Sequence, residues 1–170
     1  SFQLTIRNIA ERKTAEKERK RYEEKLSALN TYSRDLNMAV NRQEIFRLTL
    51  DAMQKVLGFE YADFMMIEKN MLYIADKRGY PEPFQLELPL DGSKKGITIK
   101  VAETGNSVIV QDVRKNTDFV KGLSGIISEL AVPIKVGQKT LGVLNVESKE
   151  LNGFDEKDQE LLEILASHAA

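Results

Sequence analysis

Polar and apolar residues alternate most regularly through residues 128–148, SELAVPIKVGQKTLGVLNVES, where two runs flank a Gly137-Gln138 turn. Alternation about such a turn predicts a β-hairpin. With Val136 opposite Lys139, uninterrupted pairing sets Ile134 against Leu141, Val132 against Val143, Leu130 against Asn145 and Ser128 against Glu147. Ala131, Pro133, Gly142, Leu144 and Val146 then make one small or apolar face. The other mixes apolar residues with Ser128, Asn145 and Glu147. That suits a sheet packed under helices on one side and lining a polar pocket on the other.

Ahead of the hairpin the period becomes helical. Residues from about Ile9 to Val40 contain no Gly or Pro and are rich in helix formers, which predicts a helix roughly 45 Å long. The first residues, SFQLTIRNI, read as β-like. Ala15, Tyr22, Leu29 and Leu36 recur every seven residues, with Arg12, Arg19, Leu26, Ser33 and Val40 between them. This predicts a coiled coil that is polar early and apolar from Tyr22 onward. Tyr22, Leu26, Leu29 and Leu36, with Leu165 near the C-terminus, are therefore candidate contacts of a homodimer. The alternative is that the Leu26–Val40 half covers the domain's own sheet.

A second helix is expected over residues 42–57, capped by Asn41 with Glu44 closing a capping box and Val40 stapled onto Ile45. YADFMMI (61–67) and MLYIAD (71–76) read as strands, QLELPL (85–90) as a short strand, GITIKVAET (96–104) as a short helix and SVIV (107–110) as a strand. RKNTDFVKGLSG is a loop with one helical turn, and Asp155 caps a terminal helix carrying Leu161, Leu162, Ile164, Leu165 and Ala169. The order implies an α+β (α/β) sandwich around a mostly antiparallel sheet. Both ends look cut, so the chain reads as a piece of a longer polypeptide.

Composition narrows the chemistry. The 170 residues include 42% hydrophobic and 30% charged residues, enough for a core and a surface. A formal net charge of -1 gives no general attraction to polyanions. Residues 7–25 hold eight Lys/Arg against five Asp/Glu, but signs are mixed and aromatics for stacking are missing, so no nucleic-acid partner is expected. No apolar run is long enough to span a membrane, and the expected location is cytoplasmic, without direct membrane contact. There is no cysteine, hence no disulfide, thiolate metal site or thiol nucleophile. Phosphate loop, serine elbow and metal-ligand spacing are all missing. The one histidine, His168, has no partner placed beside it in sequence. No cofactor or metal is identified, and no catalysis by this chain is expected.

The runs GITIKVAETGNSVIVQDV, SELAVPI, GVLNVES and NGFDEKDQELLEILA, in this order, resemble the GAF domain, a small-molecule sensor module of signalling proteins. The resemblance covers residues 37–170. It implies a five- or six-stranded antiparallel sheet with terminal helices on one face and a ligand pocket on the other, under short helices and loops at 93–127. IRNIAERKTAEKERKRYEEKL is similar to the end of a PAS domain running into a signalling helix, over residues 1–36. The whole then looks like the middle of a multidomain sensor, such as a two-component sensor histidine kinase, whose output domain lies elsewhere.

By that resemblance the ligand is an unknown small molecule. Bilin-binding members generally need a cysteine, which argues against a bilin, and the methionine-sulfoxide reductases of this fold also use cysteines, so that activity is excluded on this ground. Cyclic-nucleotide-binding members carry Asn-Lys and then Phe followed by Asp-Glu. Asn152, Phe154 and Asp158 match, but Gly153 and Gln159 replace Lys and Glu, which argues against a cyclic nucleotide. Pocket positions carried over from nucleotide-binding relatives are Ile97, Thr98, Phe119, Val120 and Asn145. Ser128, Asp112 and the possible floor residues Phe64 and Met66 complete the candidates. The function expected is ligand sensing relayed through paired helices, with a ligand-free dimerisation module as the alternative.

Overall fold

The computed structural model describes residues 1–170. Helix α1 runs Phe2–Met38, so the β-like opening residues are helical. They continue the Gly- and Pro-free stretch, and no strand is available to pair with them. Asn41 caps α2 (Arg42–Lys55) by accepting from the Glu44 amide at 2.9 Å. The Glu44 carboxylate answers at the Val40 amide, 3.1 Å away. Val40 itself is 85% exposed, so the expected apolar staple does not form.

Strands β1 (Tyr61–Glu68), β2 (Met71–Arg78), β3 (Glu87–Pro89), β4 (Val108–Val110), β5 (Ser128–Val136) and β6 (Lys139–Ser148) form one six-stranded sheet. Its order is β3-β2-β1-β6-β5-β4, with every neighbouring pair antiparallel. Helix α3 spans Ile97–Thr104, and α4 spans Glu156–His168, opened by a reciprocal Asp155–Asp158 capping box.

The sheet separates two cores. On one face Ala62, Phe64, Leu130, Val132, Ile134, Leu144 and Val146 pack under α1, α2 and α4. On the other Met65, Leu72, Ile74, Ala131 and Val143 pack under α3 and the irregular segments.

The β5–β6 hairpin departs from uninterrupted pairing. Val136 pairs with Lys139 and Lys135 with Thr140, but Ile134 then pairs with Gly142, leaving Leu141 as the extra residue of a bulge. Beyond it the register is displaced by one, giving Val132–Leu144, Leu130–Val146 and Glu129–Glu147. A one-residue slip exchanges the faces of a strand. Ser128 thus goes to the helix side with Leu130, while Asn145 and Glu147 go to the other side. Gly142 is where the chain tolerates this: a Cβ there would lie 2.2 Å from the Met65 carbonyl oxygen of β1.

The supposed dimer seam is internal. Leu29 (0% exposed), Leu36 and Leu165 are buried in the helix-side core, and Tyr22 and Leu26 pack against it. The Tyr22 hydroxyl donates to the Glu160 carboxylate of α4 at 3.2 Å. This half of α1 therefore covers the domain's own core, because the apolar faces of α2 and α4 leave a groove that Leu29 and Leu36 fill. Residues 1–21 are all exposed and project beyond the domain.

Candidate functional site: carboxylates under a lid

Two cross-strand rows build the site. Asp63 of β1 pairs with Asn145 of β6, which pairs with Ala131 of β5. In the next row Tyr61, Glu147 and Glu129 lie side by side. Alternation then directs Asp63, Asn145, Glu147 and Glu129 to the same face, away from the three long helices. All four are buried, between 2% and 8% exposed.

Tyr80, just after β2, joins the rows. Its hydroxyl lies 3.0 Å from Asp63 Oδ2 and 2.9 Å from Glu147 Oε2. A phenol has one proton to donate. The phenol donates fully to one carboxylate at a time, and the second contact is favourable when that carboxyl is protonated and donates to the phenol oxygen. Asn145 Nδ2 also donates to Asp63 Oδ2, at 3.0 Å. Asp63 Oδ1 and Asn145 Oδ1 are buried without any partner.

Electrostatics agree with a shared proton. Burial raises Asp63 to about 6, against the pull of its bonds from Asn145 and Tyr80. Burial and then the Asp63 charge raise Glu147 to about 7. Glu129 is pushed well above the ordinary carboxylate range, first by burial and then by Glu147 and Asp63. Burial also raises Tyr80, reinforced by the neighbouring carboxylates, so it stays a phenol.

A lid closes over these groups. Ile97 and Thr98 come from the start of α3, Val120 and Gly122 from the loop before β5, and Phe84 and Leu86 from the segment before β3, with Met65 and Ile74 below. Phe84 stacks on Tyr80, with centroids 4.7 Å apart and planes 8° from parallel. Gly122 passes so close to Phe84 that a Cβ would sit 3.0 Å from the ring. The enclosed cavity measures ≈ 20 Å³, room for about one water. A wider groove of ≈ 560 Å³ between α1 and the start of α4 is lined by charged surface residues such as Glu18, Arg21 and Asp155. It gathers none of the buried, unpartnered polar atoms.

Of the residues expected at the pocket, Ile97, Thr98, Val120 and Asn145 line this cavity. Phe119 packs beside it in the same core. Phe64 and Met66 do not reach it, since alternation turns them to the helix side, where Phe64 meets Phe46 at 4.6 Å; Met65 is the floor instead. Ser128 is likewise on the far side, donating to the Glu150 carbonyl at 2.8 Å and accepting from the Gly153 amide. Asp112 closes its own turn, accepting from the Arg114 amide and taking both arms of its guanidinium at 2.8 and 2.9 Å.

Asp63, Tyr80, Glu129 and Glu147 were not among the candidates, although Glu147 was assigned to the mixed face of the hairpin. A charge inside the runs YADFMMI and SELAVPI was the available signal, because acidic residues are uncommon in strand interiors. Phe154 and Asp158, matched above to a nucleotide motif, are a core residue against Phe59 and part of the α4 cap.

A curved antiparallel sheet with helices on one face and a lidded polar cavity on the other defines a single class of α+β domain. The chain belongs to the GAF domain family, which matches residues 39–170. It is 38% identical over 73 residues to the free methionine-R-sulfoxide reductase of Saccharomyces cerevisiae, which covers 42% of this chain and 41% of that protein. The match thus spans less than half of the curated relative. Among solved structures, the free methionine-R-sulfoxide reductase of Neisseria meningitidis in complex with its substrate superposes with a TM-score of 0.73 at 22% identity, over 83% of each chain. A structure described as that of the GAF domain gives 0.75 at 25% identity, over 88% of this chain and 86% of that one. The GAF domain of a Coxiella burnetii phosphoenolpyruvate-protein phosphotransferase gives 0.76 at 16% identity, over 87% and 91%.

These relatives correct one expectation. The exclusion of catalysis does not stand, because proteins similar to this chain in sequence and fold are themselves enzymes. No helix is long and apolar enough to cross a membrane.

Proposed function

We propose that this GAF domain binds a small molecule in the cavity between Asp63, Glu129, Asn145 and Glu147 and the Ile97–Val120 lid, and that binding is its regulatory signal. The observation carrying this reading is the pair of unpartnered buried acceptors, Asp63 Oδ1 and Asn145 Oδ1, facing that cavity. Each such group costs about 1–3 kcal/mol when left unpaired, a cost that a donor-bearing ligand removes. Free methionine-R-sulfoxide is the first candidate, since two relatives bear its name. Its reduction would have to proceed without a thiol from this chain, which has no cysteine.

The ligand must displace the lid, because ≈ 20 Å³ holds none larger than water. Lid movement and occupation of the sheet would bias α1 and α4, which pack on its opposite face. In this reading a cytoplasmic chain pairs with a second copy along the exposed first half of α1 and hands the signal to an output domain, in the manner of PAS- and GAF-bearing histidine kinases. A coupling of about 1–3 kcal/mol is enough for such a relay.

Thermal-shift and calorimetric titration with free methionine-R-sulfoxide, methionine, other amino acids and nucleotides tests the reading, with chromatography of the sulfoxide samples reporting any methionine formed. Saturable stabilisation that Asn145→Ala or Val120→Trp abolishes supports it. Stabilisation by none of the panel, or stabilisation indifferent to both variants, counts against it.

A further inference from the structure

We propose that the ligand of this cavity presents a protonated nitrogen, an ammonium or guanidinium group, to Asp63, Glu129 and Glu147, and that its binding expels a proton held there in the closed site. The inference rests on the binding reading above and names the chemistry of the ligand.

Geometry carries it. Three carboxyl groups line the cavity, and no Lys, Arg or His does. Met65, Ile74, Leu86, Ile97 and Val120 make the aliphatic part of the wall, and Tyr80, Phe84, Thr98, Gly122 and Asn145 carry no formal charge, so no lining residue neutralises the carboxyls. Bare carboxylates so placed repel one another, and Glu129 lies directly opposite Glu147 in the ladder. The closed site meets this with a proton, since the single Tyr80 hydrogen cannot serve both Asp63 and Glu147 at 3.0 and 2.9 Å. A proton cannot satisfy everything, however. Asn145 Oδ1 is an amide oxygen, 95% buried with its residue and unpartnered, and only an incoming donor completes it.

A nitrogen cation supplies both missing elements, positive charge and several N–H donors. An anion meets the carboxyls head-on. A neutral acceptor uses only their protons and leaves Asn145 Oδ1 unpaired.

The titratable groups facing the cavity are Asp63 from β1, Tyr80 after β2, Glu129 from β5 and Glu147 from β6. Helix α3 contributes Thr98, and the lid loop contributes Val120 and Gly122, none of which titrates. Lys149 lies over the Tyr61 ring at 5.2 Å and does not line the cavity. With the carboxyls raised by burial, a bound cation competes with protons. Its affinity therefore grows with pH through the range in which Asp63 and Glu147 ionise, about 6 to 7.

Butylguanidinium and its neutral near-isostere butylurea are the probes, titrated calorimetrically into the full chain at several pH values and in two buffers of different ionisation enthalpy. The cation is expected to bind at least about tenfold tighter than the urea. Its affinity should rise severalfold between about pH 5.5 and pH 7, with about one proton released per ligand. Glu129→Gln, checked for folding by circular dichroism, should remove most of the preference. Equal or tighter binding of butylurea overturns the inference. So does cation binding without proton release, or no cation binding up to about 10 mM. If the nucleotides of the earlier panel, which carry no ammonium or guanidinium group, bind while butylguanidinium does not, and Val120→Trp blocks them, the pocket reading survives while the cation is rejected.

Discussion

At the residue scale the feature with the most consequence is acidity inside the fold. Asp63 and Glu129 occupy strand interiors where an apolar side chain would pack better, and Glu147 adds a like charge beside them. Burial raises all three; for Asp63 and Glu147 the native state therefore binds more protons than the unfolded chain between ordinary carboxylate values and about 6 to 7. Stability contributed by these groups is complete below their unfolded values, near pH 4, and is lost as pH rises through about 6 to 7. Without ligand, raising the pH from about 5 to about 8 should cost roughly 3 kcal/mol, or about 10 °C in Tm. Asp63→Asn combined with Glu147→Gln should flatten that slope, as read by calorimetric melts across the range; an unchanged slope would place the pH sensitivity elsewhere. The acidic positions could be read in the two apolar runs, but their meeting could not, because residues 63, 80, 129 and 147 belong to three strands and a loop.

At the element scale α1 and the hairpin show where pattern reading stops. Tyr22, Leu26, Leu29 and Leu36 do form an apolar stripe, yet a stripe does not say what covers it. Here it is the groove of α2 and α4, and Leu29 ends with no exposed surface. Leu29→Ala should therefore destabilise the domain by about 2–5 kcal/mol, measured by urea unfolding. The loss should not depend on protein concentration, as it would if Leu29 bridged two copies. In the hairpin, period-two reading placed both strands correctly but carried straight through Leu141. One bulged residue beside Gly142 then sent Ser128 to the helix side and Asn145 to the cavity. The bulge adjoins the point where the Met65 carbonyl of β1 leaves no room for a side chain at 142; Gly142 is its local mark, but a glycine in a strand does not say which residue is extra.

At the scale of the whole molecule, a single sheet holds apart two cores with different duties. The helix-side core is closed by three helices and includes Leu29, Phe64 and Leu162. The opposite core is capped by α3 and loops, includes Val120 and Phe84 at its margin, and encloses the polar site. The projecting part of α1 belongs to neither. Removal of residues 1–20, all exposed, should leave the Tm within about 2 °C of the full chain, since exposed positions contribute little. A larger fall on thermal melting would mean that this segment supports the fold.

Local chemistry alone determined the helices and strands apart from the opening residues, the Asn41 and Asp155 caps and the α+β layering, because periodicity and capping act between residues a few positions apart. The family resemblance, and not local chemistry, brought Ile97, Thr98 and Val120 to attention, while Asn145 was pointed to by both. The tertiary structure decided which stripe of α1 is interior, which face each hairpin residue takes, and that three carboxyls converge under one lid beside the Tyr80 hydroxyl. Those outcomes depend on register across β1, β5 and β6 and on the space left by neighbouring elements, quantities that are set only when distant parts of the chain are packed together.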